Sequence, residues 1–432
     1  MKNQIKKIII IILVFIAKGI LWRYKPKIIA VTGNVGKTST KDAIYTVLKN
    51  EGSIRRAEKS FNSEFGIPLT IIGAESGWGS IWGWIKVIFI GLEKIIIHDN
   101  TYPKTLVLEV GADKPKDISS VAKWLKPDVV VLTRLPDVPV HIEFFPTLES
   151  LIEEKISLAK FMKKEGTLVL NADDEKIMKA KEKLPFRSFS FGEKEGSDIR
   201  ASNIQILEPS YFSDGGLAFK IDFDGKSFPV NMPKVYSKGY VTVALSALCV
   251  AYAVGMNMVT AINELKNYET PPGRVRLIPG ERGTILIDDT YNSSPTACEI
   301  GLEMLADLPF GKRKIAIIGD MLELGKHTSD AHREIGKIAK NSAQLLVTVG
   351  SRAKDCALGA MDAGMNEKKI IEVDDAVTAA ESIKDLLKVG DVIYIKGSQG
   401  MRMERTVKLL MAEPEKAHEL LVRQEPEWLN KK

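Results

Sequence analysis

The strongest chemical signal in the chain is the run Ile28-Ile29-Ala30-Val31-Thr32-Gly33-Asn34-Val35-Gly36-Lys37-Thr38-Ser39-Thr40. An apolar strand enters a loop with two glycines and leaves through Lys-Thr. Glycines let successive backbone N–H groups turn toward one anion, the following helix adds the positive end of its dipole, and the lysine brings a mobile charge. Gly33, Asn34, Val35, Gly36, Lys37, Thr38 and Ser39 therefore read as a cradle for the phosphates of ATP, with the Thr38 hydroxyl on Mg2+. Val31 stands where the longer G-x-x-x-x-G-K-[ST] pattern has its first glycine, which leaves the shorter G-x-x-G-K-T.

Other polar residues fall where further strands end. Glu109 closes the apolar run Leu106-Val107-Leu108, where a carboxylate is costly to bury without a cation, and magnesium on ATP is the natural one. His141, one of five histidines, follows the next strand and is either a ligand at the same sheet edge or a structural residue. Lys155, in Glu153-Glu154-Lys155, reads on pattern alone as a solvated helix lysine. Farther on come Gly273-Arg274, Asp288-Asp289-Thr290-Tyr291-Asn292, Gly319-Asp320-Met321-Leu322-Glu323-Leu324-Gly325 and Lys396-Gly397-Ser398. Arg274 has the planar fork that matches phosphate oxygens in pairs, so it suits the γ-phosphate. The last three of these, strand-end clusters in one unit, imply substrate binding in a cleft between two α/β domains.

The elements that would position these residues alternate. Strands are expected at Ile28–Thr32, Thr105–Val110, Asp128–Thr133, Thr167–Leu170 and Arg187–Phe191, with helices at Lys37–Lys49, Leu148–Lys164 and Asp174–Lys183. An antiparallel hairpin insert with an Asp224-Gly225 turn is expected between Asp198 and Met232, then helices at Gly239–Gly255 and Val259–Tyr268. Pro271-Pro272-Gly273 breaks the chain. A second α/β series follows, with strands at Ile285–Asp288, Lys314–Ile318, Leu345–Val349, Ile370–Val373 and Val392–Lys396.

The fold class is therefore α/β: a central P-loop ATPase domain with a mostly parallel sheet, a C-terminal Rossmann-like domain, and a short apolar N-terminal helix before them. The expected boundaries are 1–26 for the apolar and basic N-terminal helix, 27–271 for the ATP-binding domain, 272–413 for the C-terminal domain and 414–432 for a charged tail.

At 432 residues and 45% hydrophobic content the chain is long enough for two or three packed domains. Its 61 basic and 55 acidic residues give a net charge of +6 with the signs interspersed, and no basic stripe interleaved with aromatics indicates nucleic acid. Cys249, Cys298 and Cys356 lie far apart with no C-x-x-C spacing, which fits a reducing, cytoplasmic compartment and no structural metal.

The exception to this ordinary composition is the amino terminus, with ten apolar residues from Ile8 to Ala17 between Lys6-Lys7 and Lys18. Residues 5–22 read either as an anchor at, or marginally across, the cytoplasmic face of a membrane, or as a helix packed on protein. Trp78 to Ile97, with Trp82 and Trp84, belongs either to the same surface or to a buried helix pair.

With these strings in place the chain resembles a known family, the ATP-dependent Mur ligases, over about Lys27 to Met411. Besides the loop and the C-terminal clusters, Phe61-Asn62-Ser63-Glu64-Phe65-Gly66-Ile67-Pro68-Leu69-Thr70 and Leu170-Asn171-Ala172-Asp173-Asp174 carry the likeness. The resemblance is strongest to the branch that joins a D-alanyl-D-alanine dipeptide to a muramyl peptide in peptidoglycan precursor synthesis. It implies that ATP converts a peptide carboxylate to an acyl phosphate, which an amine attacks to give an amide, ADP and phosphate. Positioning and charge neutralisation would then dominate catalysis.

Residue by residue, the resemblance implies that Lys37 and the 33–36 backbone hold phosphates. Thr38 and Glu109 take the first magnesium, and His141 a second. Lys155 matches the lysine that the family carbamylates, a change from cation to anionic oxygen ligand. Arg274 would meet the γ-phosphate, Asp289 the ribose and Asn292 the neighbouring nucleotide surface. Asp320, Glu323, Lys396 and Ser398 would face the amine substrate or the closed cleft.

Three departures from the family pattern stand out. Only 32 residues precede Gly33, so the family's separate sugar-nucleotide domain is expected to be absent. Arg134 replaces an asparagine, with two extra residues before His141. Gly239, Tyr240 and Val243 replace the family's adenine-contacting residues, and Tyr240 would stack on the base instead. The alternatives are a related ligase acting on another, lipid-linked acceptor, or a membrane-attached nucleotide-binding protein that does not ligate.

Overall fold

The computed structural model describes residues 2–57, 64–77, 80–112, 114–135, 144–209 and 214–430. The chain opens with helix α1 (Lys2–Tyr24), strand β1 (Lys27–Thr32) and helix α2 (Lys37–Leu48), followed by β2 (Ile54–Arg56), α3 (Gly66–Ile72), α4 (Ile81–Ile96) and β3 (Thr105–Glu109). Helix α5 (Asp117–Leu125), β4 (Val129–Leu132), α6 (Leu148–Lys160), β5 (Thr167–Asn171), α7 (Glu175–Lys181) and β6 (Arg187–Gly192) continue the alternation. Strands β7 (Ile199–Leu207), β8 (Gly216–Phe223) and β9 (Lys226–Pro233) precede α8 (Tyr240–Ala253) and α9 (Met258–Leu265).

Among the described residues these strands form one nine-stranded sheet in the order β2-β3-β1-β4-β5-β6-β7-β8-β9. The pairings from β2 through β7 are parallel, and β7-β8-β9 form an antiparallel meander. The expected hairpin insert is thus three strands that extend the main sheet, with Asp224-Gly225 joining β8 to β9. Strand β1 is buried on both faces, as its Ile-Ile-Ala-Val run requires of a central parallel strand. One layer, with Ile44, Val47 and most of α8, covers one face of the sheet; a second, with residues of α1, α3, α5 and α6, covers the other. Each fully buried Ile or Leu in these layers contributes roughly 1.5–3 kcal/mol.

The second sheet follows Pro271-Pro272-Gly273. It comprises β10 (Arg276–Gly280), β11 (Thr284–Asp289), β12 (Arg313–Gly319), β13 (Leu345–Val349), β14 (Ile370–Val373) and β15 (Asp391–Lys396), in the order β10-β11-β15-β12-β13-β14. Helices α10 (Pro295–Asp307), α11 (Thr328–Ser342), α12 (Lys354–Asp362), α13 (Ala376–Lys384) and α14 (Glu404–Leu410) surround it, and the short α15 (Ala417–Leu420) and α16 (Pro426–Leu429) close the chain. Strand β10, absent from the sequence expectation, pairs antiparallel with β11 at the sheet edge. Pro279 within it is tolerated because an edge strand has one row of backbone groups free of pairing.

The N-terminal segment is a helix packed on protein. Leu13, Ile16, Ala17 and Ile20 of α1 are buried in the layer beneath it. Among the described residues no helix is long and apolar enough to cross a membrane.

Candidate active site

In the first sheet β1 lies between β3 and β4, so the helices that follow these strands diverge and leave a crevice at its carboxyl end. The Gly33–Gly36 loop emerges there. Gly33 has φ +145°, and a β-carbon on it would lie 2.1 Å from Thr133 Oγ1. Gly36, at φ +82°, is the N-cap of α2 and leaves that end without a side-chain cap. Both glycines adopt backbone conformations that L side chains rarely take, and together they deliver a helix N-terminus to the crevice. The loop is fixed from β4: Asn34 N–H donates to Arg134 O at 2.7 Å, and Thr133 Oγ1 donates to Val35 O at 2.8 Å.

Glu109 sits in register with Val31 on the neighbouring strand. It is 2% exposed, and its Oε2 accepts the Thr38 hydroxyl at 2.8 Å. A hydroxyl and a carboxylate side by side form the hard oxygen set that suits magnesium. Lys37 Nζ folds back onto Asn34 O at 3.3 Å.

Lys155 departs most from its sequence pattern. It is 4% exposed rather than solvated, and its Nζ donates to Gly33 O at 3.1 Å. Leu151, Lys155 and Leu158 share the buried stripe of α6, so the helical spacing that carries apolar residues inward carries this lysine to the underside of the loop. His141 lies outside the described residues.

The C-terminal unit faces this loop across a cleft of about 780 Å3 lined by Val35, Gly36, Asn171, Lys238, Gly239, Val243, Ile300 and Asp307 among others. Lys238 and Asp307 pair across it at 2.6 Å. Arg274 lies over the Tyr291 ring, its carbonyl accepts Tyr240 Oη–H at 2.6 Å, and its buried Nε has no partner among the described residues. A half-buried guanidinium with an unsatisfied N–H suits an incoming anion.

The Tyr240 ring is buried and is not among the residues that line the cleft. It is 6% exposed and packs against Tyr268, and burial raises its hydroxyl above the ordinary tyrosine value. Its position on the inner face of α8 spends the ring on the core and the hydroxyl on Arg274 O. Gly239 and Val243 are the residues of this trio that line the cleft.

The remaining polar clusters interlock. Lys396 and Asp289, both buried, pair at 2.6 Å, and Tyr394 Oη donates to the same carboxylate at 2.9 Å. Lys396 Nζ also reaches Asn292 O at 3.0 Å, and Asn292 Oδ1 accepts Gln399 N–H at 3.3 Å. Asp320 is buried, with Oδ1 accepting the N–H groups of Arg352 and Ala353 at 3.0 and 2.8 Å. Ser398 Oγ accepts Leu322 N–H at 2.8 Å, and the half-buried Glu323 takes the left-handed conformation at φ +64°.

The structure thus brings Gly33–Ser39, Glu109 and Lys155 together. It gathers Asp289, Asn292 and Lys396 into one cluster, and Asp320 and Ser398 into another on the adjoining loops. Sequence reasoning missed Arg423, whose guanidinium donates to Thr290 O at 3.2 Å and to Tyr291 O, and whose charge meets Glu404. It ties the segment after Pro414 to the 288–292 loop. The alternation of charges along that tail carried no signal of this contact.

Comparison with known proteins agrees with this architecture. Residues 89–249 match the Mur ligase middle domain and residues 273–399 match the Mur ligase glutamate ligase domain, together two thirds of the chain. The chain belongs to the Mur ligase family. Among curated relatives of this Mur ligase, UDP-N-acetylmuramoyl-tripeptide–D-alanyl-D-alanine ligase of Bacillus subtilis is 25% identical over 403 residues, covering 92% of this chain and 79% of the relative. The Synechocystis enzyme of the same name is 27% identical over 399 residues, covering 92% and 77%. The crystal structure of MurF ligase from Thermotoga maritima in complex with ADP superposes with a TM-score of 0.76 at 27% identity, covering 94% of this chain and 84% of that one.

Proposed function

We propose that this Mur ligase joins D-alanyl-D-alanine to the terminal carboxylate of a UDP-muramyl tripeptide, in peptidoglycan precursor synthesis, at the expense of ATP. In this reading a carboxylate oxygen of the peptide takes the γ-phosphoryl group, releasing ADP. The dipeptide amine then adds to the acyl carbon, a proton is lost, and phosphate leaves from the tetrahedral intermediate to give the amide. The observation that carries the reading is the Thr38–Glu109 pair beside a phosphate cradle, with buried Lys155 bonded to the loop carbonyl of Gly33 and an unsatisfied N–H on Arg274.

The protein's part is electrostatic. The 33–36 backbone and α2 N-terminus receive the phosphates, Lys37 swings onto them, and Arg274 supplies bidentate charge from the other domain. Asp289 and Asn292 flank the nucleotide, and Glu323 with the 319–325 and 396–398 loops borders the amine side. Thr38 and Glu109 would hold magnesium, with His141 assigned to a second ion. The metal supplies neutralisation of phosphate charge. Lys155, as a carbamate, would add an anionic oxygen ligand to that set. Residues 5–22 give the enzyme a contact with a membrane surface on its cytoplasmic side.

The test is ADP release by the purified chain given UDP-muramyl tripeptide and D-alanyl-D-alanine. Release that requires both, with matching amide product, supports the reading. Release that ignores either substrate removes it.

A further inference from the structure

Among the described residues, helices α1 and α4 carry the largest concentration of exposed apolar side chains. Ile11, Phe15 and Trp22 on α1 are 68, 73 and 78% exposed, and Trp82, Phe89 and Ile96 on α4 are 80, 70 and 75% exposed. Within each helix the spacing is four or seven residues, so each set forms one stripe. The opposite faces are spent on the core through Leu13, Ala17 and Ile20 of α1 and Val87 of α4.

The two stripes belong to one surface. The helices run side by side in the same direction, with Ile16 at Gly91 and Ile95 at Gly19; a β-carbon on either glycine would fall within 2.7 Å of the facing isoleucine. On both helices this contact edge lies between the buried face and the exposed stripe, so the stripes turn outward together. Contiguous apolar surface of this kind marks an interaction site.

Charge selects the occupant. On residues 2–27 and 80–97 the exposed charged side chains described are Lys6, Lys7, Lys18, Lys25, Lys27 and Lys86 against Glu93. Beside Trp22 a notch of about 390 Å3 is lined by Lys18, Lys25, Trp124 and Lys163. Apolar stripes flanked by lysine, with tryptophan at the margin, suit the headgroup layer of an anionic bilayer. Because the inner face of α1 is part of the protein core, the helix lies in the interface plane rather than across it.

We infer that the α1–α4 face docks the enzyme in-plane on an anionic lipid surface, inserting Phe15 and Phe89 and engaging headgroup phosphates with Lys18, Lys25 and Lys86. This deepens the membrane contact proposed for residues 5–22, and it stands whether or not the ligase reading does.

Flotation of the full chain with vesicles of phosphatidylcholine and phosphatidylglycerol, against phosphatidylcholine alone, tests it. The expected result is co-flotation with the anionic vesicles that falls as salt rises and weakens roughly tenfold or more in Phe15→Glu with Phe89→Glu. Thermal midpoint and ADP release should stay unchanged in that variant, and Lys18→Glu with Lys86→Glu, which leaves every apolar contact in place, should lose the anionic preference. Failure to float with anionic vesicles overturns the inference, as does flotation that neither pair of substitutions alters. A lipid-independent dimer in sedimentation equilibrium that Phe15→Glu with Phe89→Glu dissolves would assign the face to a second copy and overturn it as well.

Discussion

Lys155 Nζ lies 3.1 Å from the carbonyl oxygen of Gly33, so a lysine from the middle of α6 is built into the underside of the phosphate loop. A charge buried in this way is costly unless it is compensated. Its site becomes intelligible if its end group serves the reaction. Lys155→Ala is expected to lower kcat roughly 100- to 1000-fold, the range seen when one group that stabilises developing charge is removed. Lys155→Glu, which restores an anionic oxygen, should recover part of it, and wild-type activity should fall on removal of dissolved CO2. Steady-state ADP release measures all three. Equal inactivity of the alanine and glutamate variants would leave the carbamate without support.

The Thr38–Glu109 pair predicts a metal phenotype. Thr38→Ala and Glu109→Gln each remove one hard oxygen ligand, so the magnesium concentration giving half-maximal rate should rise roughly 10- to 100-fold. A magnesium titration of ADP release reads this directly. Lowered kcat with unchanged magnesium dependence would place the pair outside the metal site.

Lys396 and Asp289 are a buried ion pair, and losing one partner strands the other. Lys396→Met is expected to destabilise the protein by about 3–5 kcal/mol, while adding Asp289→Asn should recover much of that loss. Urea unfolding of the single and double variants checks it. Additive losses would show that the two residues are not energetically coupled.

Asp288 predicts a pH effect. Burial lifts its carboxyl from the ordinary 3.8 to about 6, although it accepts bonds from Gly273 N–H and from the N–H and hydroxyl of Thr290. Between those values the native chain holds a proton that the unfolded chain has released. Its contribution to stability is therefore complete below pH 3.8 and lost as pH rises through about 6. The swing is about 3 kcal/mol. Asp288→Asn lacks this proton equilibrium, so the stability of wild type relative to the variant should decline across that window. Parallel pH curves in urea unfolding would contradict it.

Much of the fold could be read because β-type runs and helical stripes alternate over long stretches: β1, β13 and β14 fall within a residue of their expected bounds. What escaped was local and polar. Strand β2 has three residues, Ile-Arg-Arg, and β10 contains Pro279, so neither presents an apolar run. Lys155 was legible as to position but not as to burial, since charge outvoted its place on the Leu151–Leu158 stripe. Asp320 shows the reverse case. Its strand-end setting suggested substrate, and the folded chain spends the carboxylate on the turn into α12. Such choices depend on which chain segment packs opposite, and a single segment does not encode its neighbour. Helices α1 and α4, read either as a membrane surface or as packed helices, have one face in the core and the other turned to solvent.

If the cleft couples ATP cleavage to amide formation, product analysis alongside ADP release reads that coupling. Purified wild-type chain, with magnesium, UDP-muramyl tripeptide and D-alanyl-D-alanine, should release one ADP per amide formed, with neither product appearing when any component is omitted. ADP release without amide, or no turnover with the complete mixture, would contradict the account.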